Sequence, residues 1–152
     1  MNGNGGLIMI KCFTDLEFIN WFPENKKYLS ADVFFKLDYQ YFYNKDKPHN
    51  AAGYKLLLYK EDRKYVGFLR YHIVNNCINI GYMAVEPQKQ ENGIGLALAS
   101  YVFDEGIRMD CDKVGADYSN DAERLKEKLE TKYQSQIKFS AVKKIESIKM
   151  KV

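Results

Sequence analysis

The chain has 152 residues, which suits one domain built around one hydrophobic core. Its formal net charge of +3 falls well short of the basic surface of a nucleic-acid-binding domain, and no apolar run approaches the roughly 18 residues of a membrane span. The three cysteines, Cys12, Cys77 and Cys111, lack metal-ligand spacing, so we expect reduced thiols, no bound metal and a cytoplasmic location.

The N-terminal third predicts one strand followed by two helices. Residues 7–12 form a short apolar run, typical of a strand. Thr14 begins a capping-box sequence and should open a helix, which we expect Pro23 to end. Ser30 is the candidate N-cap of a second helix over residues 31–43, where apolar side chains recur at helical spacing.

The middle of the chain predicts an antiparallel meander of three strands. These strands cover residues 54–59, 65–74 and 77–85. A charged turn separates the first two, and Asn75-Asn76 separates the last two. Asparagine tolerates positive φ, so this pair suits a tight hairpin turn.

The last third predicts alternating helices and strands. A helix over residues 96–109 leads to a strand at 113–118, which the helical crossover should make parallel to its neighbour. A charged helix at 121–133 precedes one or two strands within residues 137–152.

The resulting order is β-α-α-β-β-β-α-β-α-β-β. It predicts an α+β fold with a mixed, largely antiparallel central sheet and helices on both faces. We expect residues 1–152 to form a single domain, with the Asn/Gly-rich residues 1–6 disordered.

The segment between the third meander strand and the next helix predicts an anion site. Gly93 and Gly95 allow backbone N–H groups to turn toward an anion, and the helix start adds unpaired donors and a positive dipole end. A dinucleotide fingerprint would require a further glycine where Leu98 stands. A Walker loop would require Gly-Lys-Ser/Thr, which the chain lacks.

The same segment resembles the acetyl-CoA signature of the GNAT N-acetyltransferase superfamily, Gln/Arg-x-x-Gly-x-Gly/Ala. The matching residues are Val85, Pro87, Gln90, Gly93 and Gly95. The element order is also similar to that family over almost the whole chain. The resemblance implies a GNAT-like fold and acyl transfer from acetyl-CoA, the cosubstrate, to an amine.

The resemblance also implies how coenzyme A is bound. Backbone N–H groups of the loop would hold the pyrophosphate, and the strand before it would pair with the pantetheine arm. For that pairing, strands 77–85 and 113–118 must splay apart. Backbone donors near Met83 or Ala84 would stabilise the oxyanion. The implied cofactor-binding residues are Met83, Ala84, Val85, Gln90, Glu91, Asn92, Gly93, Ile94, Gly95, Leu96 and Asn120.

A general base is not defined by the resemblance. Some family members carry a glutamate eleven residues ahead of the motif glutamine, but Asn79 occupies that position here. Glu86 is the nearest carboxylate and could act through a water, or it could be a solvated loop residue. His72 on the neighbouring strand is the other candidate.

A general acid is equally undefined. The family often has a tyrosine seven residues past the asparagine of its second cofactor segment, where Glu127 stands here. Tyr133 and Tyr118 are the nearest candidates to protonate the leaving thiolate, although tyrosine is also common in cores and on surfaces.

Two functional readings follow. The first is an acetyl-CoA-dependent N-acetyltransferase acting on a small molecule or a protein. The second is an acyl-CoA-binding module with degenerate catalytic groups. Coenzyme A and an unidentified amine are the expected partners, with no nucleic acid and no membrane. Tyr39 and Tyr43 could line an acceptor pocket. Oligomeric state stays open, with a homodimer as one option.

Overall fold

The computed structural model describes residues 9–43, 53–90, 92–116 and 123–139. Within these ranges the chain forms six strands and four α-helices. The strands are β1 (Ile10–Thr14), β2 (Lys55–Glu61), β3 (Lys64–Val74), β4 (Cys77–Val85), β5 (Lys113–Ala116) and β6 (Lys138–Phe139). The helices are α1 (Asp15–Asn25), α2 (Ala31–Asp38), α3 (Ile94–Arg108) and α4 (Glu123–Tyr133).

One sheet holds all six strands, in the order β1-β2-β3-β4-β5-β6. β1 to β4 pair antiparallel, and β5 pairs parallel to both β4 and β6. The hairpin between β3 and β4 turns at Asn75 and Asn76, whose φ angles are 54° and 59°. The predicted meander, its asparagine turn and the parallel crossover are therefore confirmed.

Hydrophobic clusters cover both faces of the sheet. On one face, α1 and α2 bury Phe18 and Val33 against Phe68 of β3. On the other face, α3 and α4 bury Leu98 and Leu129 against the same sheet. The predicted α+β class with helices on both faces is confirmed. The part of the predicted C-terminal strands beyond Phe139 lies outside the described residues.

Local signals set the starts of the first two helices as predicted. The Thr14 hydroxyl accepts from the Glu17 N–H at 3.1 Å, and the Glu17 carboxylate accepts from the Thr14 N–H at 2.8 Å. This capping box begins α1. Ser30 accepts from the Val33 N–H at 3.4 Å and begins α2.

Two helix ends differ from the prediction. α1 passes through Pro23 and ends at Asn25, because Phe22 stays buried and its carbonyl accepts from the N–H of Lys26. The Asn25 amide also donates to the Trp21 carbonyl at 2.9 Å. The second helix reaches Tyr43 as predicted, but its last five residues form a π-helix. Neither difference is visible in the local sequence.

Candidate functional site

The first turn of α3 forms an uncapped helix start. Gly93 is the N-cap at φ +84°, and its carbonyl accepts from the Ala97 N–H at 2.9 Å. The N–H groups of Ile94, Gly95 and Leu96 therefore precede the first intrahelical donor. This turn contains no acidic side chain, and a Cβ on Gly93 would meet nothing within 4 Å. The open space and the positive dipole end together suit an anion.

The loop before α3 is tied to the end of β4. A 3₁₀ turn spans Pro87–Lys89, and the Gln90 side-chain amide donates to the Val85 carbonyl at 3.2 Å. The Glu86 N–H donates to the Val66 carbonyl at 2.7 Å, which extends the ladder between β3 and β4. Lys89 reaches back to Glu61 of β2, with Nζ 2.7 Å from Oε1. These contacts hold the helix start against the sheet.

A β-bulge bends β4 just before this loop. Arg70 of β3 pairs with Tyr82, whereas the next residue pairs with Ile80, so Gly81 is the extra residue. Among the described residues, the pairing of β4 with β5 covers Cys77–Ile80. Residues 117–120, which would continue β5, lie outside the described residues. The predicted separation of the two strands therefore stays a prediction.

Past the bulge, two residues of β4 point backbone groups away from β3. Because Glu86 donates to Val66, the antiparallel alternation turns the N–H and C=O of Ala84 toward β3 and those of Met83 and Val85 toward the opposite edge. The bond from Gln90 to the Val85 carbonyl fits this direction. A Cβ on Gly95 would lie 3.9 Å from Met83 Cε, so the helix start adjoins that edge.

The two candidate bases lie on different parts of the sheet. Glu86 is half-buried at the loop start, and its Oε1 is buried without a hydrogen-bond partner among the described residues. His72 is half-buried on β3, and its Nδ1 is also buried without a hydrogen-bond partner among the described residues. The His72 and Tyr54 rings are in contact, with centroids 4.1 Å apart and planes tilted by 35°.

The candidate acids are less accessible or lie outside the described residues. Tyr133 is 3% exposed, and its hydroxyl donates to Asp104 Oδ1 at 2.8 Å. Burial raises the pKa of its phenol. These contacts favour a packing role and leave the predicted role untested. Tyr118, Asn120 and Glu91 lie outside the described residues. Tyr39 and Tyr43, predicted to face an acceptor, are exposed on the π-helix.

Sequence reasoning missed a buried ion pair on the α1/α2 face. Arg70 donates to Asp15 through Nε at 3.2 Å and Nη2 at 2.7 Å, and the Tyr41 hydroxyl donates to Asp15 at 2.9 Å. Asp15 is only 2% exposed although it stands in the first turn of α1. The available signal was Arg70 itself, because a cation inside a buried strand requires a partner.

The start of α3, whose geometry suits an anion, therefore lies beside the outward-facing backbone of Met83 and Val85. The model of the acetyltransferase (GNAT) family matches residues 16–129, more than half of the chain. The chain therefore belongs to the GNAT acetyltransferase family. A search of curated proteins finds no match. None of the helices within the described residues is long and apolar enough to cross a membrane.

Several solved acetyltransferases share the fold at low identity. An aminoglycoside acetyltransferase, HMB0005, from an uncultured soil metagenomic sample is 16% identical with a TM-score of 0.57, covering 79% of this chain and 88% of its own. The ribosomal-protein-S18-alanine N-acetyltransferase from Escherichia coli is 14% identical with a TM-score of 0.53, and the match covers 80% of this chain and 74% of the other. Aminoglycoside N-acetyltransferase AAC(6')-Iy in complex with CoA is 16% identical with a TM-score of 0.50, covering 88% of each chain.

Proposed function

We propose that this protein is an acetyl-CoA-dependent N-acetyltransferase. The observation that carries the proposal is the meeting of the uncapped α3 start with the outward-facing backbone of Met83 and Val85. An anion can be held at the first, and an extended polar chain can pair along the second. Coenzyme A presents a pyrophosphate followed by an amide-containing arm that ends in a thioester, and so combines both requirements.

The proposed binding uses backbone groups more than side chains. N–H groups of residues 93–96 bind the pyrophosphate, assisted by the helix dipole. Gln90 and Asn92 shape the turn, and Met83 and Val85 pair with the pantetheine arm. Glu91 and Asn120 complete the proposed set from outside the described residues. When bound, acetyl-CoA supplies an acetyl group already activated as a thioester.

The proposed reaction is direct acetyl transfer to an amine. The amine nitrogen attacks the thioester carbonyl, a C–N bond forms, the C–S bond breaks and the thiol of coenzyme A leaves. The backbone N–H of Met83 faces the oxyanion, since that of Ala84 turns toward β3. Glu86 or His72 receives the amine proton, since each has a buried polar atom that lacks a partner among the described residues. Protonation of the thiolate is assigned to solvent or Tyr118 in preference to Tyr133.

The fold alone does not specify which class of amine accepts the acetyl group. Aminoglycoside and ribosomal-protein acetyltransferases share this fold with the chain at 16% and 14% identity, and both names denote amine acceptors. An acyl-CoA-binding module without transfer is the second candidate, favoured by Asn79 at the position where some family members carry a glutamate.

The decisive experiment separates cofactor binding from transfer. Acetyl-CoA binding is measured by its effect on the melting temperature, and transfer by release of free thiol with a panel of amines and amino-terminal peptides. Binding with acceptor-dependent thiol release supports the enzyme. Binding without release across the panel supports the module. An unchanged melting temperature at millimolar acetyl-CoA would contradict both.

A further inference from the structure

Arg70 lies in the middle of β3, on the face that α1 and α2 cover. It is 9% exposed, and its Nε and Nη2 both donate to the Asp15 carboxylate. Two parallel bonds fix the plane of the guanidinium group. Asp15 also accepts from Tyr41, so the carboxylate is held from two sides.

Aromatic stacking holds the same guanidinium from above. Its central carbon lies 3.9 Å from the centroid of the Tyr54 ring, which in turn contacts the His72 ring. Arginine favours this arrangement because its cation is delocalised and weakly hydrated. The orientation of Arg70 is therefore set before any ligand arrives.

The remaining nitrogen, Nη1, is unused. Nη1 makes no hydrogen bond within the part of the chain that the structure describes, and it is not one of the buried side-chain atoms there that lack a partner, so it is accessible to solvent. A Cβ on Gly81 would lie 4.0 Å from Nη1, so this nitrogen faces the β4 bulge. Gly81 and Tyr82 are both exposed, which leaves the approach open to solvent.

The Arg70 guanidinium group presents positive charge on the side that faces the β4 bulge. Asp15 neutralises the guanidinium from the buried side, whereas the side with Nη1 faces the bulge without an acidic partner among the described residues. A carboxylate accepts strongly from such a donor. A polycationic acceptor would bring like charge to the same place.

We propose that Arg70 Nη1 binds the carboxylate of a small amino acid whose amine accepts the acetyl group. This inference rests on the proposed function. Arg70 pairs with Tyr82, one residue before the Met83 backbone proposed to face the thioester. Nη1 lies 4.0 Å from the Cβ position of Gly81, and Met83 follows two residues later on β4, where the strand rises about 3.3 Å per residue, so the carboxylate and the amine must be separated by only a few bonds. His72 Nδ1, on the same face, is a buried polar atom without a partner among the described residues.

The test compares each of a set of L-amino acids with its own carboxamide as acetyl acceptor. The amide keeps the amine and removes the negative charge. We expect KM for the acid to be at least about tenfold lower than for the amide, a difference of about 1.4 kcal/mol. Arg70→Lys, which retains a charge beside Asp15 but not the Nη1 position, should raise KM for the acid alone and leave KM for acetyl-CoA unchanged.

A second variant leaves the ion pair intact. A Cβ on Gly81 makes only ordinary contacts, the nearest being 3.6 Å from the Arg70 carbonyl, so Gly81→Ala should fold. Its methyl group nevertheless stands in the approach to Nη1 and should raise KM for the acid. Gly115→Ala on β5 is the matched control, since its Cβ would also lie 3.6 Å from its nearest neighbour. It should change KM for the acid less than Gly81→Ala does.

The outcomes separate this inference from the proposed function. Equal use of acid and amide, or a preference that survives Arg70→Lys, would overturn the role of Arg70. Acetyl-CoA binding without transfer to any acid would also overturn it and leave cofactor binding standing. If acetyl-CoA does not bind, the proposed function fails. In that case, calorimetry measures the binding of the amino acids to the wild-type protein and to Arg70→Lys. Loss of binding in Arg70→Lys supports the carboxylate site, and equal binding to both proteins rejects it.

Discussion

Replacing Gly93 by glutamate tests the cofactor site most directly, because the chain contains a matched control. Gly93 and Gly53 have φ angles of +84° and +90°, and a Cβ on either would meet nothing within 4 Å. Glutamate at either position should therefore cause backbone strain without a steric clash. Left-handed backbone costs about 1–2 kcal/mol for a residue with a Cβ.

Both variants should fold with reduced stability. At about 2–4 °C per kcal/mol, the strain lowers the melting temperature by roughly 2–8 °C. Gly93→Glu should lose somewhat less stability than Gly53→Glu, because its carboxylate lies at the start of α3 and interacts favourably with the helix dipole by about 0.3–1 kcal/mol. The same carboxylate occupies the space proposed for the pyrophosphate.

The two variants should differ in their response to acetyl-CoA. At a concentration of about 100 times Kd, a ligand stabilises a protein by about 2.7 kcal/mol. That gain corresponds to a rise of roughly 5–11 °C in the wild-type protein and in Gly53→Glu. Gly93→Glu should show a rise below about 1 °C. Differential scanning fluorimetry across a titration of acetyl-CoA measures all three. The anion site would be refuted if acetyl-CoA raised the melting temperature of Gly93→Glu as much as that of the wild-type protein. It would also be refuted if both variants lost this rise equally.

Two further predictions concern the core. Gly106→Ala should destabilise the protein by about 1–3 kcal/mol in chemical denaturation, since its Cβ would lie 2.6 Å from Ile78 Cγ1 and still closer to Cδ1. Gly95→Ala on the same helix meets Leu125 at 3.6 Å and should raise stability while keeping cofactor binding, so a similar loss in both would contradict the packing described. Burial and a neighbouring carboxylate raise the pKa of both Tyr41 and Tyr71, so folding keeps them protonated. The stability that these two phenols contribute should be complete below pH about 10 and then fall, and Tyr41→Phe should reduce that slope by about 1.4 kcal/mol per pH unit; an unchanged slope in urea titrations would contradict it.

Features with local physical causes were predictable. A capping box needs only Thr14 and Glu17, and a tight turn needs only Asn75-Asn76, so four-residue windows contained the information. The loop at Gly93 was predictable for the same reason. The strand pairing followed because short turns leave a meander few alternatives.

Features with tertiary causes were not predictable. Pro23 should end a helix by local rules, yet the burial of Phe22 carries α1 past it. Asp15 has the sequence signature of an exposed first-turn residue, and its burial depends on Arg70, fifty-five residues away. Gly81 was a readable signal, since glycine inside a strand often marks a bulge.

The placement of buried charge separates the two faces of the sheet. Among the described residues, the buried charged side chains are Asp15 and Arg70, and both lie on the α1/α2 face. A buried ion pair is weak evidence for stability, because desolvation offsets most of the attraction and apolar residues of similar volume often serve as well. The α3/α4 face, which adjoins the proposed cofactor turn, packs without such a pair in the described part of the chain. The donor that Arg70 leaves facing the bulge, on a pair that folding does not require, therefore supports the proposal that a carboxylate binds on this side of Arg70.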